Sequence, residues 1–223
     1  MTAAIRHHPT EALLLDYATG AASDGVSLVM ATHLTFCPRC RAEVAAAERI
    51  GGALVEQLEP VDIDPGARAR ILARLDEPEP TVEWAPVESA PSSSTTTPDL
   101  PQPLRARLGS RIDGLRWRAL TSGVDQAMIR RLPGGGAIRL LRVRAGRSVP
   151  PHTHRGQEMI CVLRGSFSDV SGTYGPGDVS LADETVDHAP TAAAGGDCVC
   201  LIVTEGPLRL TGWRALLNPF VRL

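Results

Sequence analysis

The stretch RAGRSVPPHTHRGQEMICVLRG, residues 144–165, decides the fold of the second half of the chain. It places His152 and His154 two residues apart, so on a β-strand both imidazoles point to the same face. Glu158 follows four residues later, and His188 comes further along the chain. A lone histidine in a β-fold is more often a core residue, but three imidazoles and a carboxylate suit Zn, Fe, Mn, Ni or Cu. The stretch therefore predicts a metal site inside a β-structure.

The sequence around this stretch predicts a small β-barrel. After residue 113, short runs rich in β-branched and apolar residues follow one another, separated by Gly, Pro or Asp turns. Regularly spaced short strands without long helices are typical of a barrel or jelly roll. The predicted strands are residues 115–120, 126–132, 137–145, 158–167, 178–182 and 198–205.

The first 76 residues carry helix signals instead. Thr10 is a cap-type residue before an apolar face, and Pro38 suits a first helical position, where its missing N–H costs nothing. Four short helices bury a small core, and such a core usually needs a disulfide or a metal ion to stabilise it. The predicted helices are residues 10–19, 27–36, 38–58 and 65–76.

A metal ion fits the motif H-x3-C-x2-C, formed by His33, Cys37 and Cys40. The first two side chains share one helix face, and Cys40 begins the next helix. Structural zinc takes four nitrogen or sulfur ligands, and His8 is the natural fourth, with His7 as the competing choice. A buried cysteine pair is the simpler interpretation. A redox C-x-x-C pair would need a βαβ context, which this region lacks.

Residues 77–103 separate these two regions and contain seven of the 18 prolines. Proline fixes φ and removes a hydrogen-bond donor, so neither a helix nor a sheet propagates through such a segment. Its many Ser and Thr residues and five acidic residues are typical of a solvated tether. The sequence thus predicts a domain over 1–76, a linker over 77–103 and a second domain over 104–223.

The overall composition excludes several classes of protein. The 223 residues carry a net charge of −2, which argues against nucleic acid as a direct partner. No signal-peptide pattern and no run of about 18 apolar residues is visible, which argues against secretion and a membrane. An odd number of cysteines, five, then favours reduced thiols or metal ligands over disulfides. We expect a cytoplasmic protein.

Three cysteines lie outside the first motif. Cys198 and Cys200 are two apart on a predicted strand and therefore point to one face. They are either small core residues, as free cysteines commonly are, or a redox-sensitive pair. Neighbours on a regular strand are poorly placed to bridge each other. Cys161 faces away from Glu158 by strand parity, and we expect it in the core.

The stretch 144–165 closely resembles the first motif of the cupin superfamily, G-x5-H-x-H-x3-E-x6-G. Every fixed position of that motif is matched, by Gly146, His152, His154, Glu158 and Gly165. The resemblance implies an all-β jelly-roll barrel that holds a metal.

The second cupin motif, G-x5-P-x-G-x2-H-x3-N, is matched less well. Gly177 and His188 agree with it, whereas Asp183, Thr185 and Ala192 replace its proline, glycine and asparagine. The metal ligands implied by the resemblance are therefore present, while the turn between them departs from the family pattern. Cupins include dioxygenases, isomerases and sensors, so this fold leaves the function open.

Residues 5–76 resemble the zinc-binding anti-sigma domain, whose signature is H-x3-C-x2-C with an upstream histidine. The resemblance implies a small all-α four-helix domain with zinc bound by His8, His33, Cys37 and Cys40. In that family the four helices wrap an extracytoplasmic-function sigma factor. They hide the surfaces with which the sigma factor binds core RNA polymerase.

Together, the two halves resemble the ChrR family of anti-sigma factors over nearly the whole chain, including Cys198 and Cys200. The resemblance implies a non-enzymatic regulator that binds one sigma factor and releases it in response to singlet oxygen or related oxidants. It implies zinc in the first domain. The cupin domain would hold a divalent transition metal, with zinc preferred and iron, manganese or nickel as alternatives.

Two other functions compete with this interpretation. One is a metal-dependent cupin dioxygenase whose helical extension serves assembly, and the other is a cupin regulator that senses a small ligand. Neither explains the His/Cys motif beside a long tether, so the anti-sigma interpretation is preferred.

Overall fold

The computed structural model describes residues 4–77 and 99–217. The first two helices begin at side-chain caps: Thr10 and Ser23 each accept a hydrogen bond from the backbone N–H three residues further along. Cys37 caps the third helix, its Sγ accepting from the N–H of Cys40 at 3.4 Å, and Pro38 takes the first helical position. The α-helices are α1 Glu11–Ala18, α2 Asp24–Phe36, α3 Pro38–Glu56, α4 Ala67–Ala73 and α5 Gln102–Leu108.

The first four helices coincide with the predicted ones, and α5 was not predicted. α2 begins three residues before the predicted start because Ser23 is its cap. Most of the predicted linker, residues 78–98, lies outside the described residues. The end of that segment is part of the packed fold, since Leu100 is only 1% exposed and Leu104 of α5 is fully buried.

Eleven strands occur in the described residues, and together they build an antiparallel barrel. A six-stranded sheet has the order β1-β2-β3-β10-β5-β8, and two smaller sheets, β7-β6-β9 and β11-β4, complete the barrel. The strands are β1 Arg118–Thr121, β2 Val124–Arg131, β3 Ala137–Val143, β4 His152–His154, β5 Glu158–Arg164, β6 Phe167–Asp169, β7 Gly172–Tyr174, β8 Val179–Ala182, β9 Thr191–Ala192, β10 Cys198–Thr204 and β11 Leu208–Leu210.

Each of the six predicted strand runs overlaps one strand of the large sheet. The strand through His152 and His154, β4, was also expected from their spacing, whereas β6, β7, β9 and β11 were missed, and these four strands have two or three residues each. Such short segments do not complete a recognisable apolar alternation, and they form strands only because a neighbouring chain segment supplies hydrogen-bond partners.

The central strands β3, β10 and β5 of the large sheet are buried on both faces, and the two faces have different neighbours. Side chains such as Leu140 and Leu201 share one apolar cluster with the helices, whereas Leu141 and Ile202 belong to a second cluster inside the barrel. α2 lies directly on β10: a Cβ added at Gly25 would stand 2.6 Å from the side chain of Val203. The helices and the barrel therefore share a core.

No helix among the described residues combines the length and the apolar character that crossing a membrane requires.

Candidate metal centres

The N-terminal cluster forms where α2 ends and α3 begins. His33 lies in the last turn of α2, Cys37 at the junction and Cys40 in the first turn of α3. His8 approaches from the segment before α1, and its Nδ1 lies 3.4 Å from the Cys37 Sγ and 3.3 Å from the Cys40 Sγ. One donor atom from each of these four residues lies within 4.8 Å of every other.

A hydrogen bond to a backbone carbonyl of the barrel orients His33. Its Nδ1 lies 2.7 Å from the carbonyl oxygen of Gly177, so in the neutral ring Nδ1–H donates to that carbonyl. The Nε2 atom is buried and has no hydrogen-bond partner among the described residues. A backbone carbonyl bonded to one ring nitrogen, with the other nitrogen left free, is the usual arrangement of a metal-binding histidine.

The electrostatics of the N-terminal cluster also fit a cation. Burial lowers the pKa of His33, which keeps the ring neutral and able to bind a metal. Burial, together with the neighbouring Cys37 thiol, raises the pKa of Cys40 to about 12. A thiolate at this place therefore needs a positive charge beside it, and two thiolates with two imidazoles suit tetrahedral zinc.

The structure separates the two candidate histidines before α1. His8 lies with the cysteines, whereas the His7 ring stacks against Tyr174 with 4.3 Å between ring centroids. The Nδ1 of His7 also lies 3.8 Å from a carboxylate oxygen of Asp178. His7 therefore contacts the barrel and is not part of the N-terminal cluster.

The cupin cluster forms at β4 and the start of β5. His152 and His154 both point inward from β4, and Glu158 is the first residue of β5. His188 is brought beside them by a pair of backbone hydrogen bonds with His152, each 3.0 Å long. One donor atom from each of the four residues lies within 4.8 Å of every other, and all four residues are buried.

Hydrogen bonds outside the cupin cluster orient two of its rings. The Nδ1 of His188 lies 2.9 Å from the carboxylate of Asp169, and the Nδ1 of His152 lies 2.8 Å from the Pro150 carbonyl. Both Nε2 atoms are then left to face the centre. Sequence reasoning missed Asp169, because it lies on β6, outside both cupin motifs, and no fixed spacing links it to His188.

The electrostatics of the cupin cluster favour a divalent cation. Burial lowers the pKa of His152 and of His154, so both rings are neutral donors. Burial also disfavours protonation of His188, but hydrogen bonds to Glu158 and Asp169 outweigh it and raise its pKa. Burial opposes ionisation of Glu158, yet the His188 hydrogen bond and nearby imidazoles lower its pKa. Three imidazoles and one carboxylate leave one or two metal positions open.

The remaining cysteines occupy the two faces of the large sheet. Cys198 and Cys200 point into the barrel, and their Sγ atoms lie 3.5 Å apart. The hydrogen bond to Cys198, followed by burial, raises the pKa of Cys200 well above its usual value. Cys161 faces the helices instead, where burial raises its pKa to about 12.

Comparison with known proteins identifies the family of this chain. The model of the ChrR cupin-like domain matches residues 105–209. The anti-sigma-E factor ChrR of Cereibacter sphaeroides is 40% identical over 222 residues, which cover 98% of this chain and 99% of that protein. The chain belongs to the ChrR family. The family expected from the two motifs is confirmed.

The ChrR-family assignment extends to the three-dimensional structure. A crystal structure of Rhodobacter sphaeroides SigE in complex with the anti-sigma ChrR matches with a TM-score of 0.76 and 39% identity. The match covers 91% of this chain and all of that chain. The cupin-like β-domain predicted from the sequence is therefore confirmed, and the N-terminal region is helical with its His/Cys cluster.

In this ChrR-family chain, the segment before His8 is bonded to the barrel. The side chain of Asp178 accepts hydrogen bonds from the N–H groups of Arg6 and His7 at 2.7 and 2.9 Å. The N–H of Val179 donates to the His7 carbonyl at 3.0 Å. Sequence reasoning assigned Asp178 only to a strand, because its contact with residues more than 170 positions away leaves no local signal.

This ChrR-family chain also exposes an apolar surface on its helices. Only Cys40 and Val44 of α3 are buried, so the second half of that helix extends away from the core. Large apolar side chains in that half, in the segment after it and on α4 are exposed. They are Ile50, Leu54, Val55, Leu58, Val61, Ile63, Ile71, Leu72 and Leu75.

Proposed function

We propose that this protein is an anti-sigma factor that binds one extracytoplasmic-function sigma factor through residues 1–76. It would keep the sigma factor from core RNA polymerase and act in the cytoplasm. Residues 77–103 would join this anti-sigma domain to the cupin-like domain, residues 104–223. The relative from Rhodobacter sphaeroides was crystallised with SigE, and this chain matches that relative over almost its whole length.

The observation that carries the proposal is the exposed apolar surface on α3 and α4. Ile50 and Leu54 are spaced four apart on one face of α3, exposed Leu58 follows just after the end of this helix, and Leu54 is 61% exposed. Contiguous apolar patches of this kind on an otherwise polar surface mark sites for a protein partner. A sigma factor clasped by α3 and α4 would bury this surface.

The test of this surface is the full-length variant Leu54→Asp, co-expressed with the cognate extracytoplasmic-function sigma factor. A charge in the centre of the surface should weaken the complex more than tenfold, because a buried carboxylate without a partner is costly. The matched control is Val170→Asp, an even more exposed apolar residue on the β6–β7 turn of the barrel. Unchanged co-purification of Leu54→Asp would overturn the proposed surface.

Zinc at His8, His33, Cys37 and Cys40 would hold the anti-sigma domain together. The cluster joins the end of α2 to the start of α3 and ties both to the segment before α1. Two thiolates balance the charge of Zn²⁺, so the ion can be buried away from water. Because such binding is linked to folding, loss of the ion would disorganise the helices and release the sigma factor.

The cupin cluster would be the sensor. A divalent transition metal, preferably zinc, would be held by His152, His154, Glu158 and His188. Imidazoles and thiols react with singlet oxygen and related oxidants, and the buried Cys198 and Cys200 line the same interior. We therefore propose that oxidation inside the barrel is the signal that releases the sigma factor.

The contacts between barrel and helices supply a route for that signal. His33 donates to the carbonyl of Gly177, and the next residue, Asp178, accepts from the backbone that leads into His8. Two ligand-type residues of the N-terminal cluster are thus attached to one loop of the barrel. A movement of this loop would disturb the zinc ligands without any direct chemistry at the zinc.

The sensor proposal is tested by exposing the full-length complex to photosensitised singlet oxygen in the absence of core polymerase. The unaltered protein should release the sigma factor, and His154→Ala, which lacks one cupin ligand, should retain it. Release by both proteins at equal rates would place the sensor outside the cupin cluster. Point variants are preferable to truncation because α2 and β10 share a core.

A further inference from the structure

The interior of the barrel contains a cavity of about 60 Å³ beside the cupin cluster. Most of its wall is apolar and includes Leu141, Ile160 and Ile202. His152 and Glu158 form part of the same wall, so whatever occupies the cavity lies next to the metal ligands. An apolar chamber of this kind stays dry and favours a hydrocarbon group over water.

A buried guanidinium borders this chamber. Arg139 points inward from β3, opposite Ile202 on β10, and is only 4% exposed. Its Nε has no hydrogen-bond partner, and no carboxylate of the described residues lies within 4 Å of it. Glu158 turns its Oε2 toward His154 and His188 instead, at 3.7 and 3.5 Å. A buried charge without a partner is costly, so the fold maintains Arg139 at a cost in stability.

Arg139 also borders a second, more polar cavity of about 320 Å³. Arg131 and Gln126 line that cavity too, and the Gln126 Oε1 is buried without a hydrogen-bond partner. Burial lowers the pKa of Arg139, the carboxylate of Glu158 partly opposes this shift, and the charge of Arg131 adds to it. The two guanidinium groups raise the local positive potential, which attracts an anion to Arg139.

We propose that the barrel binds a short apolar carboxylate, with its carboxylate on Arg139 and its hydrocarbon tail in the chamber beside the cupin cluster. The forked guanidinium matches a carboxylate bidentately, and one negative charge balances the one buried positive charge. A water-sized group needs roughly 10–15 Å³ of such space, so the chamber holds a tail of about four to six atoms. The hydrocarbon tails of pentanoate and hexanoate have this size.

This binding site goes beyond the proposed anti-sigma function and does not depend on it. The ligand would cover the cupin cluster from the inside and lie against Cys198 and Cys200, which line the same chamber. Occupancy of the chamber would therefore control which molecules reach the metal ligands and the two thiols.

The first test is calorimetric titration of the full-length, metal-loaded protein with hexanoate and with hexan-1-ol. Hexanoate should bind at least about tenfold more tightly than the alcohol, because only the carboxylate pairs with the buried charge. In a series from acetate to hexanoate, each added CH₂ should increase affinity about fourfold. Decanoate should bind no more tightly than hexanoate, since the chamber has no room for the longer tail. Equal binding of acid and alcohol, a flat series, or no binding at all would each overturn the proposal.

The second test is the variant Arg139→Met, which removes the charge while keeping most of the side-chain volume. It should lose at least about tenfold in hexanoate affinity and leave hexan-1-ol binding unchanged. The control is Arg142→Met on the same strand, where the arginine faces outward and pairs with Asp125 at 2.8 Å. Full hexanoate binding by Arg139→Met would place the carboxylate on the metal and overturn the proposal. If this variant does not fold, the affinities of acetate to hexanoate for the unaltered protein decide whether the proposal holds.

Discussion

The two clusters of ligand-type side chains differ in how the chain assembles them and in what surrounds them. In the N-terminal cluster, three members come from one short motif at a helix junction, and sulfur supplies half of the donors. In the cupin cluster, His188 joins from a distant loop, and a chamber borders the donors. The first arrangement is that of a structural site, and the second leaves room for a reaction partner.

The two clusters also differ in the charge that their ligands would bring to a bound ion. Two thiolates neutralise a divalent cation, whereas the single carboxylate of Glu158 leaves a net positive charge in the cupin cluster. A neutral, fully ligated ion has little affinity for anions or oxidants. A positive ion with an open position attracts them. With the proposed ions bound, the first cluster would stabilise the fold and the second would respond to small molecules.

The largest expected effect comes from Cys40→Ser in the full-length protein. Loss of one thiolate should remove the N-terminal zinc and abolish sigma-factor binding, because structural zinc contributes about 10–16 kcal/mol to the folding of small zinc domains. Zinc per chain, measured by mass spectrometry, should fall from two to one. The control is Cys161→Ser, a buried cysteine outside both clusters, which should keep both ions. Tight sigma-factor binding by the zinc-depleted protein would contradict a structural role.

The second prediction removes the other ion. Glu158→Gln should lose the cupin metal, since the amide carries no charge, while the N-terminal zinc and sigma-factor binding remain. Zinc per chain should again fall from two to one, but the complex should still co-purify and should no longer respond to singlet oxygen. Loss of sigma-factor binding would show that the two clusters are not separable.

The third prediction concerns the hydrogen bond that orients His188. Asp169→Asn should weaken the cupin metal about 10–100-fold, because a carboxylate behind a histidine fixes its orientation and raises its basicity. A chelator competition at equal protein concentration measures this loss. Asp187→Asn is the control, since that carboxylate accepts from Thr211 and not from a ring of the cluster. Equal metal affinity in both variants would remove Asp169 from the site.

The smallest expected effect is at the contact between the two regions. Asp178→Asn should cost about 1–3 kcal/mol of stability, because its buried carboxylate accepts from the N–H groups of Arg6 and His7. Thermal unfolding measures this change. Both ions should stay bound, while release of the sigma factor by singlet oxygen should slow. Normal release would show that the signal takes another route.

Much of the fold could be predicted because its signals are local. The cap at Thr10, Pro38 in the first turn of α3 and the apolar strands of the large sheet depend on neighbouring residues only. The strands β6, β7, β9 and β11 were missed because two or three residues are too few to show an apolar alternation. α5 was missed because Pro101 and Pro103 give this stretch the composition of a linker. Burial of Leu104 against the helices explains why it is ordered.

The candidate site shows the same division. The members of both clusters could be named from spacing, since motif positions place donors on one helix face or one strand face. Asp169 and Arg139 could not be named, because Asp169 lies behind the ligand-type residue His188 and Arg139 lies on β3, two strands away from Glu158 in the sheet. Their importance follows from burial and from missing or distant partners, which no local pattern records.

The sequence by itself determined which donor types occur and which helices and strands carry them, because those properties depend on residues close along the chain. Only the tertiary structure decided between His7 and His8. Asp178 and Val179 hold the backbone of His7 against the barrel. Since neighbouring side chains of an extended segment point to opposite sides, His7 turns to Tyr174 and His8 turns to the cysteines.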